Sequence, residues 1–272
     1  MSRSVPARNA RFPAGLEPAA SAPPKPGLLR PQRPLREAAL DAKRSSATQG
    51  LGLDSPPVRL RMVERLRAEG LQCESVLAAM ASVPRHLFVD SALAAQAYED
   101  TSLPIGLGQT ISKPSVVARM LALLLEGRAS TVPRPLGRVL EIGTGCGYQA
   151  ALLSLLATQV ISVERLRPLH DKARELLAPL RPANMRLVYG DGMRGHAPNA
   201  PYDSIIAAAG GDALPQAWLD QLAIGGRLVS PVRQAGSQKQ VLLVVDRTEQ
   251  GFQQNVYEAV HFVPLKSGMV AG

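Results

Sequence analysis

The stretch VLEIGTGCGYQA, residues 139–150, leaves a chain few folds to choose from. An apolar run passes through Gly143, Gly145 and Gly147 into a helix-forming run, and strand, tight turn and helix in that order open a parallel sheet. The turn needs residues that tolerate left-handed backbone, and a Cβ there would hold a ligand away from the helix N-terminus. The following text keeps the alternation. QVISVE, MRLVYG and YDSIIAAA read as strands, while YQAALLSLLA, RPLHDKARELLAPL and LPQAWLDQLA read as helices. GGRLVSPV, KQVLLVVDR and NVYEAVHFVPL follow without intervening helices and predict an antiparallel edge. No internal repeat is visible.

Ahead of this region, VRLRMVERLRAEG has apolar residues at helical spacing and closes on Gly70, and ESVLAAMASVPRHLFVD predicts a second helix ending near Pro84. These helices are expected to cap the sheet. Residues 1–55 are rich in Pro, Ala, Arg and Ser, lack hydrophobic periodicity and are expected to form a disordered tail. The expected organisation is therefore a tail over 1–55 and one α/β domain over 56–272. Within it, 56–135 is a helical cap with a substrate segment, and 136–272 is a doubly wound, mostly parallel, Rossmann-like sheet.

The glycine pattern is G-x-G-x-G, which favours a cofactor without a pyrophosphate. Glu164 ends the second strand 21 residues after Gly143, where an acidic residue accepts hydrogen bonds from ribose hydroxyls. YGDGM follows the third strand and offers Asp191 to an adenine amino group. Three strand-end loops thus converge on one adenosine site, which points to S-adenosylmethionine, with Glu141 near its methionine portion and to the fold class of the class I adenosylmethionine-dependent methyltransferases.

The net charge of +9 invites a nucleic-acid reading, but residues 1–55 hold nine basic and four acidic residues, leaving only +4 to the other 217. Aromatic residues that could stack on bases make up only 4% of the chain, so a nucleic-acid partner is not expected. Cys73 and Cys146 are too few and too isolated for a disulfide framework or a zinc site, and a reducing cytoplasm is the expected compartment. No metal is expected. Neither a membrane span nor the apolar centre of a secretory signal is apparent. His86, His170, His196 and His261 form no triad or metal cluster.

LPIGLGQTIS, followed by Pro114 and VARM, resembles a segment of the protein-L-isoaspartate O-methyltransferase family. VPRHLFV, VLEIGTGCGYQAA, VERL, GDG, GGRLVSPV and FVPL are similar to that family too, and the resemblance runs from about Val58 to Leu265. It implies methylation of the free α-carboxylate of isoaspartyl residues in damaged proteins and peptides, which are then repaired through a succinimide. It assigns Ser112 as the active-site serine beside Thr110 and Ile111 on the substrate side. The glycine loop, Glu164, Asp191 and Gly192 fall to the cofactor, and Lys113, Pro114 and Ser115 to a loop closing over it. The chain departs from the family pattern at IIAAAGGDALP, where Ala207, Ala208 and Gly210 replace a Thr-Ala-Ala run and a proline pair. Cys146 stands where Ser or Thr is common and is not read as a nucleophile. The alternatives are an adenosylmethionine-dependent enzyme acting on RNA or a small acid, and a non-catalytic nucleotide-binding module.

Overall fold

The computed structural model describes residues 56–126, 134–234 and 236–271, so the tail expected over 1–55 lies outside the described residues. Helix α1 (Pro56–Ala68) ends at Gly70, whose φ of 102° and N–H bond to the Arg67 carbonyl close the helix as the sequence predicts. Helix α2 (Glu74–Ser82) stops before Pro84, and a 3-10 turn at Arg85–Phe88 follows. A hairpin not foreseen from the sequence comes next, with β1 (Leu103–Gly106) paired antiparallel to β2 (Gln109–Ile111). Helix α3 (Pro114–Leu125) starts with proline at its first position, where no N–H is needed. The Asp100 carboxylate accepts the Ser115 N–H and hydroxyl, both at 2.8 Å, and so caps this helix from outside.

The alternating region then builds the sheet: β3 (Arg138–Ile142), α4 (Tyr148–Leu156), β4 (Gln159–Glu164), α5 (Arg167–Leu177), β5 (Met185–Tyr189), β6 (Tyr202–Ala207), α6 (Gln216–Gln221), β7 (Leu222–Arg233), β8 (Gln240–Thr248) and β9 (Gly251–Val260). The seven strands lie in the order β5-β4-β3-β6-β7-β8-β9. β3 to β7 are parallel, whereas β8 runs against both neighbours and forms the antiparallel edge. From β3 the chain steps outward to β4 and β5, then returns past β3 to β6. That reversal opens a crevice at the carboxyl ends of β3 and β6, the place where such sheets hold ligands.

Period-two alternation divides the core. Val139, Val160, Ile206 and Val229 face α1 to α4, while Leu140, Ile161, Ile205 and Leu228 face Trp218 of α6 on the other side. The Trp218 indole N–H donates to the Gly192 carbonyl at 2.8 Å and thereby fixes the turn after β5. Arg227 on β7 fastens the N-terminal helices to the sheet edge. Its Nε and Nη2 donate to the Asp246 carboxylate at 2.6 and 3.0 Å, and its Nη1 donates to the carbonyls of Leu123 and Glu126 at the end of α3. Arg227→Met should lower the unfolding free energy in urea by about 2 kcal/mol, because Asp246 and the terminal carbonyls of α3 lose a half-buried donor.

Candidate active site

A cavity of about 290 Å³ occupies the crevice. Its floor is the turn after β3, its far wall the end of β4, and its near wall the ends of β6 and β2. The turn has the geometry that its sequence demands. Gly143, Gly145 and Gly147 sit at φ of 87°, 57° and 93°, where side-chain-bearing residues are strained. Their tasks differ. Gly143 and Gly145 line the cavity, whereas a Cβ on Gly147 would lie 2.9 Å from the Leu177 side chain, so Gly147 serves the packing of α4 on α5.

Glu164 is 5% exposed and organises the floor. One carboxylate oxygen accepts the Gly145 N–H and the other the Leu166 N–H, each at 2.9 Å. An ionised carboxylate offers about four lone-pair sites, so two stay free for hydroxyl donors from a ligand. Gly192 also lines the cavity, but Asp191 stands behind it, with one oxygen accepting the Met193 N–H and the other the Gly268 N–H at 2.7 Å.

Glu141 lies beneath the cavity, not on its wall. Oε2 accepts the Ser162 hydroxyl at 2.5 Å, and Ser162 lies 2.6 Å from the Thr144 hydroxyl. Oε1 is buried without a hydrogen bond, and so is the Nε2 of Gln149. Burial pushes the Glu141 pKa from 4.5 up to about 8, against the Ser162 hydrogen bond. Burial likewise raises the Cys146 thiol, which is poorly suited to nucleophilic work, in keeping with its sequence reading.

Thr110, Ile111 and Ser112 all line the cavity at the join of β2 and α3. The Ser112 hydroxyl has no hydrogen bond among the described residues, while its carbonyl accepts Arg85 Nη2 at 2.7 Å. Arg85 is fully buried, donates its Nε to the Ala97 carbonyl at 2.8 Å and lies 4.9 Å from the Tyr148 ring. It pins the Ser112 segment from behind, a task that nothing in VPRHLFV signals. Lys113 and Ser115, which the resemblance placed over the cofactor, line other hollows, and Ser115 spends its hydroxyl on Asp100.

Two further walls were missed. The tip of the β1–β2 hairpin places Leu107 at the cavity mouth with φ of 54°, a conformation that costs an L-residue roughly 1 kcal/mol, and its side chain is 58% exposed. Val263, Pro264, Leu265 and Lys266 cross the top as a strap. Gly210 holds this strap through its N–H to the Val263 carbonyl and its carbonyl to the Leu265 N–H, at 2.9 and 2.8 Å. A Cβ on Gly210 would overlap the Gln240 carboxamide, which accepts the Phe262 N–H. The departure at Ala207 to Gly210 thus fits a close-packed strap.

The family model for protein-L-isoaspartate(D-aspartate) O-methyltransferase matches residues 59–270. The chain belongs to this family. The protein-L-isoaspartate O-methyltransferase of Methylibium petroleiphilum is 65% identical over 89% of both chains, and that of Leptothrix cholodnii 59% identical over 98% of both. A solved protein-L-isoaspartate O-methyltransferase superposes with a TM-score of 0.68 at 27% identity, over 78% of this chain and 67% of its own. A second, from Plasmodium falciparum and containing S-adenosyl-L-homocysteine, superposes with a TM-score of 0.66 at 24% identity, over 76% of this chain and 98% of its own. Both share the fold described here over about three quarters of this chain. Among the described residues, no group of three or more His, Cys, Asp or Glu is placed to hold a metal ion, and no helix is long and apolar enough to cross a membrane.

Because folded Glu141 keeps its proton to about pH 8 and the unfolded chain releases it near 4.5, it makes stability fall as pH rises through that window. Glu141→Gln should remove the effect. Its unfolding free energy should exceed that of the parent by an amount growing about 1 kcal/mol per pH unit across the window, as urea titrations at several pH values would show.

Proposed function

We propose that the cavity binds S-adenosylmethionine and an isoaspartyl peptide together and methylates the peptide's free α-carboxylate, in the cytoplasm, as the first step of repair through a succinimide. The observation that carries this reading is the placement of Ser112, with an uncommitted hydroxyl, on the wall of the same cavity as Gly143, Gly145 and Glu164.

The residues suit the cofactor. Glu164 keeps acceptor capacity for ribose hydroxyls, the glycines leave room for close approach, and the orphaned Glu141 Oε1, on a carboxyl that burial keeps protonated, leaves an unused acceptor under the floor for the amino-acid end. When bound, S-adenosylmethionine supplies a methyl group on a sulfonium sulfur whose departure leaves a neutral product.

A substrate carboxylate with a pKa near 4 is ionised at neutral pH, so no general base is needed. The chain's task is to hold and aim it. The Ser112 O–H donates one hydrogen bond to the carboxylate. Arg85 stays behind the wall with Nη2 spent on the Ser112 carbonyl, and Arg165, which does line the cavity, spends Nε and Nη2 on the Gly268 and Ser267 carbonyls, so neither offers the anion a free guanidinium fork. That restraint favours reaction, since tight charge pairing would stabilise the reactant anion more than a transition state in which charge is being neutralised. Leu107 and the strap residues Val263 to Leu265 cover the cavity with apolar surface and limit water at the reacting carboxylate.

Ser112→Ala should lower kcat on an isoaspartyl peptide by about ten- to a hundredfold, the value of one hydrogen bond to a charged group, and change the cofactor Kd far less. Glu164→Ala should raise the cofactor Kd by about tenfold or more. Isothermal titration paired with initial-rate kinetics measures both. A larger loss of cofactor affinity than of turnover in Ser112→Ala would assign the serine to the cofactor instead.

A further inference from the structure

A second hollow of about 500 Å³ opens on the outer side of Ser112, the residue that lines both cavities and so joins them. Besides Ser112 its polar lining is formed by Ser102, Lys113, Lys239, Gln238, Gln240 and His261, and it contains no Asp or Glu. Lys113 and Lys239 are exposed and have no carboxylate within ion-pair distance among the described residues. Nearby cations behave otherwise: Arg119 is paired with Glu258, Arg227 with Asp246 and Arg233 with Asp212. Asp100, the carboxylate that caps the start of α3, has both oxygens engaged by Ser115.

Lys113 also stands at the N-cap of α3 with no side-chain capping bond. A cation at the positive end of a helix dipole is unfavourable, so local folding does not account for it. Two unpaired lysines from separate elements, one after β2 and one before β8, therefore set a positive potential around the mouth of the site.

We propose that this hollow receives the residues flanking the isoaspartyl group and that Lys113 and Lys239 select acidic side chains there. The inference rests on the isoaspartyl reading above. An extended peptide advances about 3.3 Å per residue, so side chains one or two places from the methylated carboxylate fall beside Ser112 within this hollow. The two charges act on the peptide before and during docking. They do not touch the reacting atoms, so their influence belongs in KM, and it weakens with salt because the lysines are exposed.

The test uses three isoaspartyl peptides identical except for Glu, Gln or Lys at the flanking positions, assayed with the full-length parent and with Lys239→Glu at low and high NaCl. For the parent at low salt, kcat/KM should be about three- to tenfold higher for the Glu peptide than for the Gln peptide, and lower still for the Lys peptide. The difference should lie in KM and shrink at high salt. In Lys239→Glu the ratio of Glu-peptide to Lys-peptide kcat/KM should fall by about tenfold or more, since one charge is reversed rather than removed. Equal use of the three peptides by the parent, or an unchanged ratio in Lys239→Glu, would overturn the assignment while leaving the isoaspartyl reading intact. Methylation of none of the three would overturn the isoaspartyl reading and the assignment together.

Discussion

The carboxylate of Glu164 holds the site together. By accepting the Gly145 N–H with one oxygen and the Leu166 N–H with the other, it ties the turn after β3 to the entry of α5. Those two loops come from adjacent parallel strands, and their spacing sets the width of the cavity floor. Charge-assisted bonds to backbone N–H groups are among the stronger polar contacts in proteins, and here they are almost wholly buried. A glycine turn left to itself would sample many conformations, and the carboxylate selects one that leaves room beside it.

The roof depends on that floor. The hairpin reaches over from the helical side, where Arg85 fixes the carbonyl of Ser112, and the strap reaches over from β9, where Gly210 and Asp191 hold it. Arg165, next to Glu164, donates its Nε to the Gly268 carbonyl and pairs through its backbone with Val270, so the strap is latched to the same β4–α5 loop that Glu164 orders. Floor, substrate wall and roof therefore share partners. A change at one is expected to be felt at the others.

Most of the sheet was legible because its signals are local. Alternation of strand and helix, the glycine turn and Glu164 at the second strand's end all follow from short-range rules, whereas the order of strands is seen only in the folded sheet. The β1–β2 hairpin was not read from the sequence, because its strands are only four and three residues long and Leu107, an apolar residue at positive φ between Gly106 and Gly108, masks the turn. The strap escaped for a different reason. Phe262 to Val270 pairs through its backbone with the backbone of Gly210 and Arg165 and with the Asp191 carboxylate, contacts that no composition encodes. Ser115 was expected over the cofactor and Glu141 near its methionine portion; what the sequence does not show is that Asp100, fifteen residues upstream, takes the Ser115 hydroxyl and that the pleat turns Glu141 toward Ser162.

The account makes one central claim: this cavity aims a carboxylate at a methyl donor and distinguishes carboxylates by how the peptide backbone presents them. The most direct measurement is transfer of label from methyl-labelled S-adenosylmethionine to a pair of peptides that differ only in an isoaspartyl or a normal aspartyl linkage, followed by mild base. The account predicts label on the isoaspartyl peptide alone, released by base as methanol, as an ester requires. Equal labelling of both peptides, or label that resists base, would contradict it.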